Sequence, residues 1–229
     1  MTSLSTVLRR AVPTYRRTAG RVVHRLFQLD LIEKTNNFDD VRWLGTPVWQ
    51  DVLDLWTVQE TLSELRPGLL IECGTNRGGS ALFYANLFDL MNHGRVITID
   101  IERMHELDHP RIEFIHGSST APNVVERARE AAESVDDHVM VILDSDHSES
   151  HVSDELELYA PLVTPGSFVH VQDGIIDELA VFRAGRPGPL PAIERFLSRH
   201  PEFKWDQARS ERFLITHHPK GWLGRAVDA

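Results

Sequence analysis

Two short stretches in the second half of the chain combine carboxylates, an amide and an imidazole at spacings that suit metal-assisted proton transfer. The first, Asp144-Ser145-Asp146-His147, follows the apolar run Val139-Met140-Val141-Ile142-Leu143. The second, Gln172-Asp173, follows Phe168-Val169-His170-Val171. If these runs are neighbouring strands, Asp144 and Asp173 converge on one point. With the amide oxygen of Gln172 they make a hard oxygen set suited to Mg2+. No cysteine pair stands at these positions and the strand-end donors are mostly oxygens, which argues against zinc or iron. His147 lies three residues after Asp144. Imidazole, with an ordinary pKa of ~6.5, accepts a proton at neutral pH and suits a general base beside a metal-bound hydroxyl. Asp146 is its rival, either as a ligand in place of Asp144 or as the group that orients the histidine. One acid after a strand is usually a helix-capping turn residue; two at adjacent strand ends argue for a site.

A third stretch, Glu72-Cys73-Gly74-Thr75-Asn76-Arg77-Gly78-Gly79-Ser80, turns from an apolar run into a helix. Asn76 breaks a dinucleotide fingerprint, and a phosphate-binding loop would need Lys before Ser80. The acidic-x-Gly-x-x-x-Gly pattern instead fits a turn for S-adenosylmethionine (SAM). Glu72 would help orient its amino group, and the backbone of Gly74, Thr75, Gly78, Gly79 and Ser80 would approach the methionyl part at a helix N-terminus. Asp100, closing the next apolar run, is placed to accept from both ribose hydroxyls. Ser118 and Ser119 follow the run after that and suit the lining of an adenine pocket. The plain alternative for the glycines is a turn that only joins a strand to a helix. Methyl transfer needs no covalent enzyme intermediate, so Cys73 reads as a buried packing residue.

These residues need a scaffold that brings strand ends together. Short apolar runs at 69–71, 96–99, 112–115, 139–143, 168–171 and 213–215 read as strands. Helical patterns at 80–92, 121–134, 149–160 and 189–199 separate them. A first helix is expected over 47–65, with Val48, Val52, Leu55, Trp56, Leu62 and Leu65 on one side and Pro67-Gly68 as its stop. The alternation predicts an α/β fold: a doubly wound, Rossmann-like, mostly parallel sheet with helices on both faces. Lys204-Trp205 and the run at 213–215 are expected to form an antiparallel pair at one edge. Ligands of such sheets bind at the carboxyl ends of the strands. Trp43, Trp49, Trp56 and Trp222 are candidates for walling an acceptor site, with core packing the alternative for Trp56. His217 and His218 read as surface residues.

The chain has 229 residues, a net charge of −10 and one cysteine. That length supports a single large core, and one cysteine excludes an internal disulfide or a Cys-rich zinc site. A reducing, cytoplasmic setting is expected. The charge is uneven. Arg9, Arg10, Arg16, Arg17, Arg21 and Arg25 fall in an acid-free stretch of 29 residues, leaving 18 basic against 34 acidic residues, a net of −16, in the rest. So acidic a body disfavours nucleic acid as a partner. No apolar run reaches the ~20 residues of a membrane helix. Residues 1–39 are read as a basic arm that packs on its own body or on a second subunit, and 40–229 as the catalytic domain. The arm's composition also fits a mitochondrial presequence, although Pro13 and Gly20 interrupt its helical pattern.

Several longer motifs occur in order: Trp43-Leu44-Gly45-x-Pro47, Gln50, Asp54-Leu55-Trp56-x-x-Gln59-Glu60, Arg66-Pro67, the 72–80 turn, Leu143-Asp144-Ser145-Asp146-His147-Ser148, Gly166-Ser167-Phe168, Pro187-Gly188-Pro189, Arg212-Phe213-Leu214 and Pro219-x-Gly221-Trp222-Leu223. From about residue 40 to 225 the chain resembles the cephalosporin hydroxylase/rhamnosyl O-methyltransferase family. The resemblance implies a class I SAM-dependent methyltransferase fold, a divalent metal and a sugar hydroxyl as acceptor. It carries the metal role onto Asp144, Gln172 and Asp173 and the base role onto His147. Relatives often have Glu-Asp where this chain has Gln172-Asp173, and the neutral amide lowers the negative charge there. The stretch 174–183 also departs from the family's wording, so the acceptor is not copied from relatives. A mannoside or rhamnoside is the expected acceptor; a catechol is the nearest competitor within the class, and a non-catalytic SAM-binding scaffold is the alternative outside it. No two-His-one-carboxylate iron site supports the hydroxylase label. A homo-oligomer is expected, a dimer first.

Overall fold

The chain enters its sheet through a small antiparallel ribbon, Arg42–Trp43 (β1) against Thr46–Pro47 (β2), and a helix, Val52–Leu65 (α1). The central strands come next, in alternation with helices: Leu69–Cys73 (β3), Gly79–Met91 (α2), Arg95–Asp100 (β4), Ile112–His116 (β5), Pro122–Glu133 (α3), Val139–Leu143 (β6), Glu149–Tyr159 (α4) and Phe168–Val171 (β7). Two short helices, Ile175–Glu178 (α5) and Gln207–Ser210 (α7), frame Pro189–Arg199 (α6) and Phe203–Trp205 (β8); Trp222–Arg225 (β9) comes last. A computed structural model of the protein describes residues 41–213 and 215–227, together with Val22, Val23, Arg25, Leu26 and Leu29 in helical backbone. The chain divides into two compact units, Met1–Asn37 and Phe38–Ala229, and β1 to β9 all belong to the second. Apart from Arg25, the arginines of the expected arm lie outside the described residues.

The seven strands lie in the order β5-β4-β3-β6-β7-β9-β8. All neighbouring pairs from β5 to β7 are parallel, and β9 runs antiparallel to both β7 and β8. This is the doubly wound, mostly parallel sheet expected from the sequence. Its register matters for function. Cys73 stands opposite Ile99 and Leu143, and Leu143 opposite Val171. The next residue of each strand therefore falls in one row at the carboxyl edge: Asp100, Gly74, Asp144 and Gln172.

Alternation along each strand sorts the side chains into two layers. Leu69, Ile71, Val141, Leu143, Val169 and Val171 pack beneath α3, α4 and α6. Leu70, Val96, Met140, Ile142 and Phe168 pack beneath α1 and α2. In the second layer the same alternation brings in Glu72, Thr98 and His170, all fully buried.

Three expectations need correction. The helix expected from residue 47 begins at Val52, because residues 46 and 47 belong to the ribbon and the Asp51 carboxylate accepts the Leu53 N–H at 2.7 Å as an N-cap. Its buried stripe is Leu55, Val58 and Leu62, while Val52 and Trp56 face solvent, 59% and 55% exposed. The last strand is not at 213–215 but at Trp222–Arg225. The run at 213–215 is as apolar as a strand, but the backbone just beyond it is claimed by other groups: the His217 N–H by the Asp54 carboxylate at 2.8 Å and the His217 carbonyl by the Ile175 N–H at 3.0 Å. Gly221 admits the chain beside β7, since a Cβ there would lie 2.1 Å from the Val171 carbonyl oxygen.

Gly74 is the tightest point of the carboxyl edge. Its φ is +104°, and a Cβ would lie 2.0 Å from the Asp144 carbonyl oxygen. Gly74→Ala is expected to lower the unfolding free energy by about 2 kcal/mol or more, through left-handed strain plus the forced separation of β3 and β6. Denaturant titration checks this, and an unchanged midpoint would contradict it.

Candidate functional site

Two clefts open at the carboxyl edge and share Gly74, Asn76, Asp144, Ser145 and His147. The larger, ≈ 480 Å3, runs over the ends of β4 and β5 and includes Asp100, Ser118 and Ser119. The smaller, ≈ 250 Å3, lies between the 74–80 turn and Asp173 and includes Thr75, Gly79, Ser80 and Trp49. Of the residues expected to meet a nucleoside ligand, most thus line one connected depression. Both oxygens of Asp100 already accept backbone N–H groups, from Asn76 at 2.8 Å and Glu102 at 3.0 Å, which fixes the carboxylate at the cleft wall. Ser119 Oγ lies 3.1 Å from His151 Nε2, a residue of the same wall to which the sequence reading gave no role. Burial pushes the Cys73 thiol well above its ordinary pKa, in keeping with a packing role.

Glu72 and Gly78 stand elsewhere. Gly78 is the left-handed N-cap of α2 (φ 79°), and neither residue is part of a cleft lining. Strand alternation turns Glu72 into the α2 side of the sheet, where Thr98 Oγ1 donates to its Oε2 at 2.5 Å and Thr98 is itself 2.6 Å from Thr75 Oγ1. Burial raises the Glu72 pKa to about 7, only partly offset by hydrogen bonds from Ser80 and Thr98. Glu72 therefore braces the turn from beneath and does not face the cleft.

Where the clefts meet, Asp144, His147 and Asp173 each offer one donor atom within 4.8 Å of the others. His147 Nε2 lies 3.1 Å from Asp173 Oδ2. Asp144 is held well above its ordinary pKa, first by burial and then by the neighbouring charges of Asp173 and Glu72. Its hydrogen-bond partners are neutral. Gln50 Nε2 donates to Asp144 Oδ2 at 3.0 Å. With its amide nitrogen turned to Asp144, the orientation that satisfies both ends of the group, Gln172 donates to Oδ1 and Oδ2 at 3.0 and 2.9 Å. Gln172 is 1% exposed and lies outside both cleft linings. Asp146, the rival ligand, accepts the Ser148 N–H at 2.8 Å, which holds its carboxyl below the usual range, and it stays outside the Asp144–His147–Asp173 group. Two facing carboxylates, both half-buried and one of them served only by amides, are a donor set that a hard divalent cation fits.

The comparisons with known proteins agree with this architecture. Residues 35–226 match the family model described as "Rhamnosyl O-methyltransferase/CmcI". The chain belongs to that family. It is 36% identical over 191 residues to a protein of Mycobacterium tuberculosis (strain H37Rv) named rhamnosyl O-methyltransferase, covering 80% of this chain and 77% of that one. A Mycobacterium leprae protein of the same name is 37% identical, with 80% and 82% covered. Among solved structures, "cmcI-D160 Mg-SAM" superposes with a TM-score of 0.65 at 18% identity, covering 82% of this chain and 77% of that one, and shows the shared fold.

Within this family member, the sequence reading missed four residues at or behind the site. Gln50 stood in a quoted motif without a role, and its contact with Asp144 spans 94 positions. Of the tryptophans that were expected to wall an acceptor site and so were not missed, Trp49, 50% exposed, lines the smaller cleft, whereas Trp222 is buried and stacks on His170 at 4.0 Å, and Trp43 Nε1 donates to Asn86 Oδ1 at 2.8 Å, away from the cleft linings. His217 and His218, expected at the surface, are 4% and 2% exposed. His151 completes the set.

The raised Glu72 pKa makes a stability statement. Between its ordinary value of 4.5 and about 7, the unfolded chain ionises this group and the folded chain does not, so folding weakens as pH rises through that window. Glu72→Gln is expected to make the fall in Tm of the ligand-free protein from pH 5 to pH 8 shallower. Identical slopes for the two proteins in thermal melts would contradict it.

Proposed function

We propose that this protein is a SAM-dependent, Mg2+-dependent O-methyltransferase that methylates a hydroxyl of a sugar. The observation that carries the reading is the Asp144–His147–Asp173 cluster at the junction of two clefts, one of them lined by Asp100 and the small residues after β5. The relatives named rhamnosyl O-methyltransferase support a deoxysugar or related glycoside as acceptor. Trp49 supports it too, since an aromatic face in the smaller cleft suits the apolar C–H face of a pyranose ring. The lone, buried Cys73 supports action in a reducing compartment. Among the described residues, no helix is long and apolar enough to cross a membrane.

When bound, SAM supplies a methyl group whose transfer to oxygen returns the C–S electron pair to sulfur, and Mg2+ supplies the Lewis acid that lowers the acceptor hydroxyl's pKa. Asp144 and Asp173 would hold the cation. Gln50 and Gln172 orient Asp144 by donating to it, and Gln172 is thereby closer to a supporting group than to a direct ligand. Asp100 would hold the ribose hydroxyls, and Ser118 and Ser119, in the same cleft, would border the adenine. The Gly74–Ser80 turn would hold the methionyl end, braced by the Thr75–Thr98–Glu72 hydrogen bonds beneath it. His147 takes the acceptor's proton, and Asp173 Oδ2, 3.1 Å from its Nε2, orients the ring.

His147→Ala is expected to lower kcat by roughly 10²–10⁴-fold while leaving SAM binding intact. Chelation of divalent metal is expected to abolish turnover reversibly. Transfer of labelled methyl to a panel of rhamnosides, mannosides and catechols, with and without Mg2+, checks both. Turnover indifferent to chelator and to His147, or transfer confined to catechols, would contradict the reading.

A further inference from the structure

We propose that His218 is a positioning residue for the cation site: it holds Asp173 in the backbone conformation that turns the Asp173 carboxylate toward His147 and Asp144. The inference rests on the reading of Asp144 and Asp173 as the residues that hold the cation.

Asp173 is the second residue beyond β7, and its φ of 56° lies in the left-handed region. For a residue with a Cβ that conformation is uncommon, and an Asp adopts it when local hydrogen bonds support it. It also takes the Asp173 N–H out of the strand ladder, and a buried N–H without an acceptor is destabilising in its own right. His218 meets that demand, since its Nδ1 accepts the Asp173 N–H at 2.8 Å. The bond defines the tautomer: a ring nitrogen that accepts carries no proton, so the proton sits on Nε2. Nε2 faces Asp54 Oδ2 at 3.6 Å, and the same oxygen accepts the His217 N–H at 2.8 Å.

The imidazole is fixed from the remaining sides as well. Its backbone N–H donates to Thr216 Oγ1 at 2.9 Å. Its ring stands edge-on to His170 with centroids 5.0 Å apart, and His170 in turn stacks on Trp222. A continuous run of contacts thus leads from α1 through Asp54 and His218 to Asp173. The residue type suits the location. A Lys or Arg would place a fixed positive charge beside a carboxylate that must keep its negative charge for a cation, whereas a neutral imidazole accepts the N–H and leaves that charge in place. Without the acceptor, the Asp173 N–H loses its partner, only the Ile176 N–H bond to the Asp173 carbonyl at 3.0 Å still supports the left-handed backbone, and relaxation toward extended geometry swings the carboxylate away from Asp144.

Binding of Mn2+ to the full-length protein, monitored through the paramagnetic resonance signal of free Mn2+, tests this without turnover. His218→Phe keeps an aromatic ring and removes the acceptor. His218→Asn restores an acceptor oxygen three bonds from Cα, where Nδ1 stands. His218→Phe is expected to weaken Mn2+ binding by about tenfold or more while leaving SAM affinity unchanged, as befits a partner of a metal ligand, and His218→Asn to recover most of the loss. Unchanged Mn2+ affinity in His218→Phe would overturn the proposal. So would equal loss of Mn2+ and SAM binding in both variants with the same drop in Tm, which is the pattern of a purely structural residue. Failure of the wild-type protein to bind Mn2+ would instead overturn the cation reading, and this inference with it.

Discussion

Asp144 is a half-buried carboxylate with a second carboxylate, Asp173, in front of it, and the rest of the site is organised around that pair of like charges. Burial and the neighbouring charge both favour the protonated form. A fold left to optimise its own stability would place an arginine there. This one places two amides, Gln50 and Gln172, and a half-exposed imidazole. Each orients a carboxylate without cancelling it, so the charge remains for a cation that binds the folded protein.

The central sheet is what makes so unfavourable an arrangement tolerable. β3, β6 and β7 are buried on both faces, and their register carries Gly74, Asp144 and Gln172 to the same edge. Glycine at 74 lets the backbones of β3 and β6 approach to a distance that any side chain would prevent. The arginines seen in ion pairs illustrate the contrast. Arg111 with Asp89, Arg212 with Glu60 and Arg199 with Glu157 sit on the outside, where such pairs contribute little stability and disturb no cation site.

Much of this was legible in the chain. Apolar runs without alternation marked the buried parallel strands, and the residue after each run was a fair guess at the carboxyl edge, which is how Asp100, Asp144 and Asp173 could be named. Reading failed where hydrogen-bond supply, not hydrophobicity, decided the outcome. The 213–215 run and Trp222–Leu223 look equally strand-like, and the second forms the strand because Asp54 and Ile175 claim the backbone of His217. Glu72 was placed in the cleft on the strength of its motif, and strand alternation turned it inward instead.

Which residue types stand at which strand ends follows from the chain's local pattern alone, because apolar runs and glycines suffice to set the period and the breaks. Which of those residues meet depends on the packing of segments far apart in the chain. The contacts that shape the site, Gln50 with Asp144 and Asp173 with His218, join positions 94 and 45 residues apart, and no local spacing encodes them. They exist because parallel strands bring distant ends into register, and because a buried N–H or carboxylate at such an end must find a partner from whichever segment packs over it.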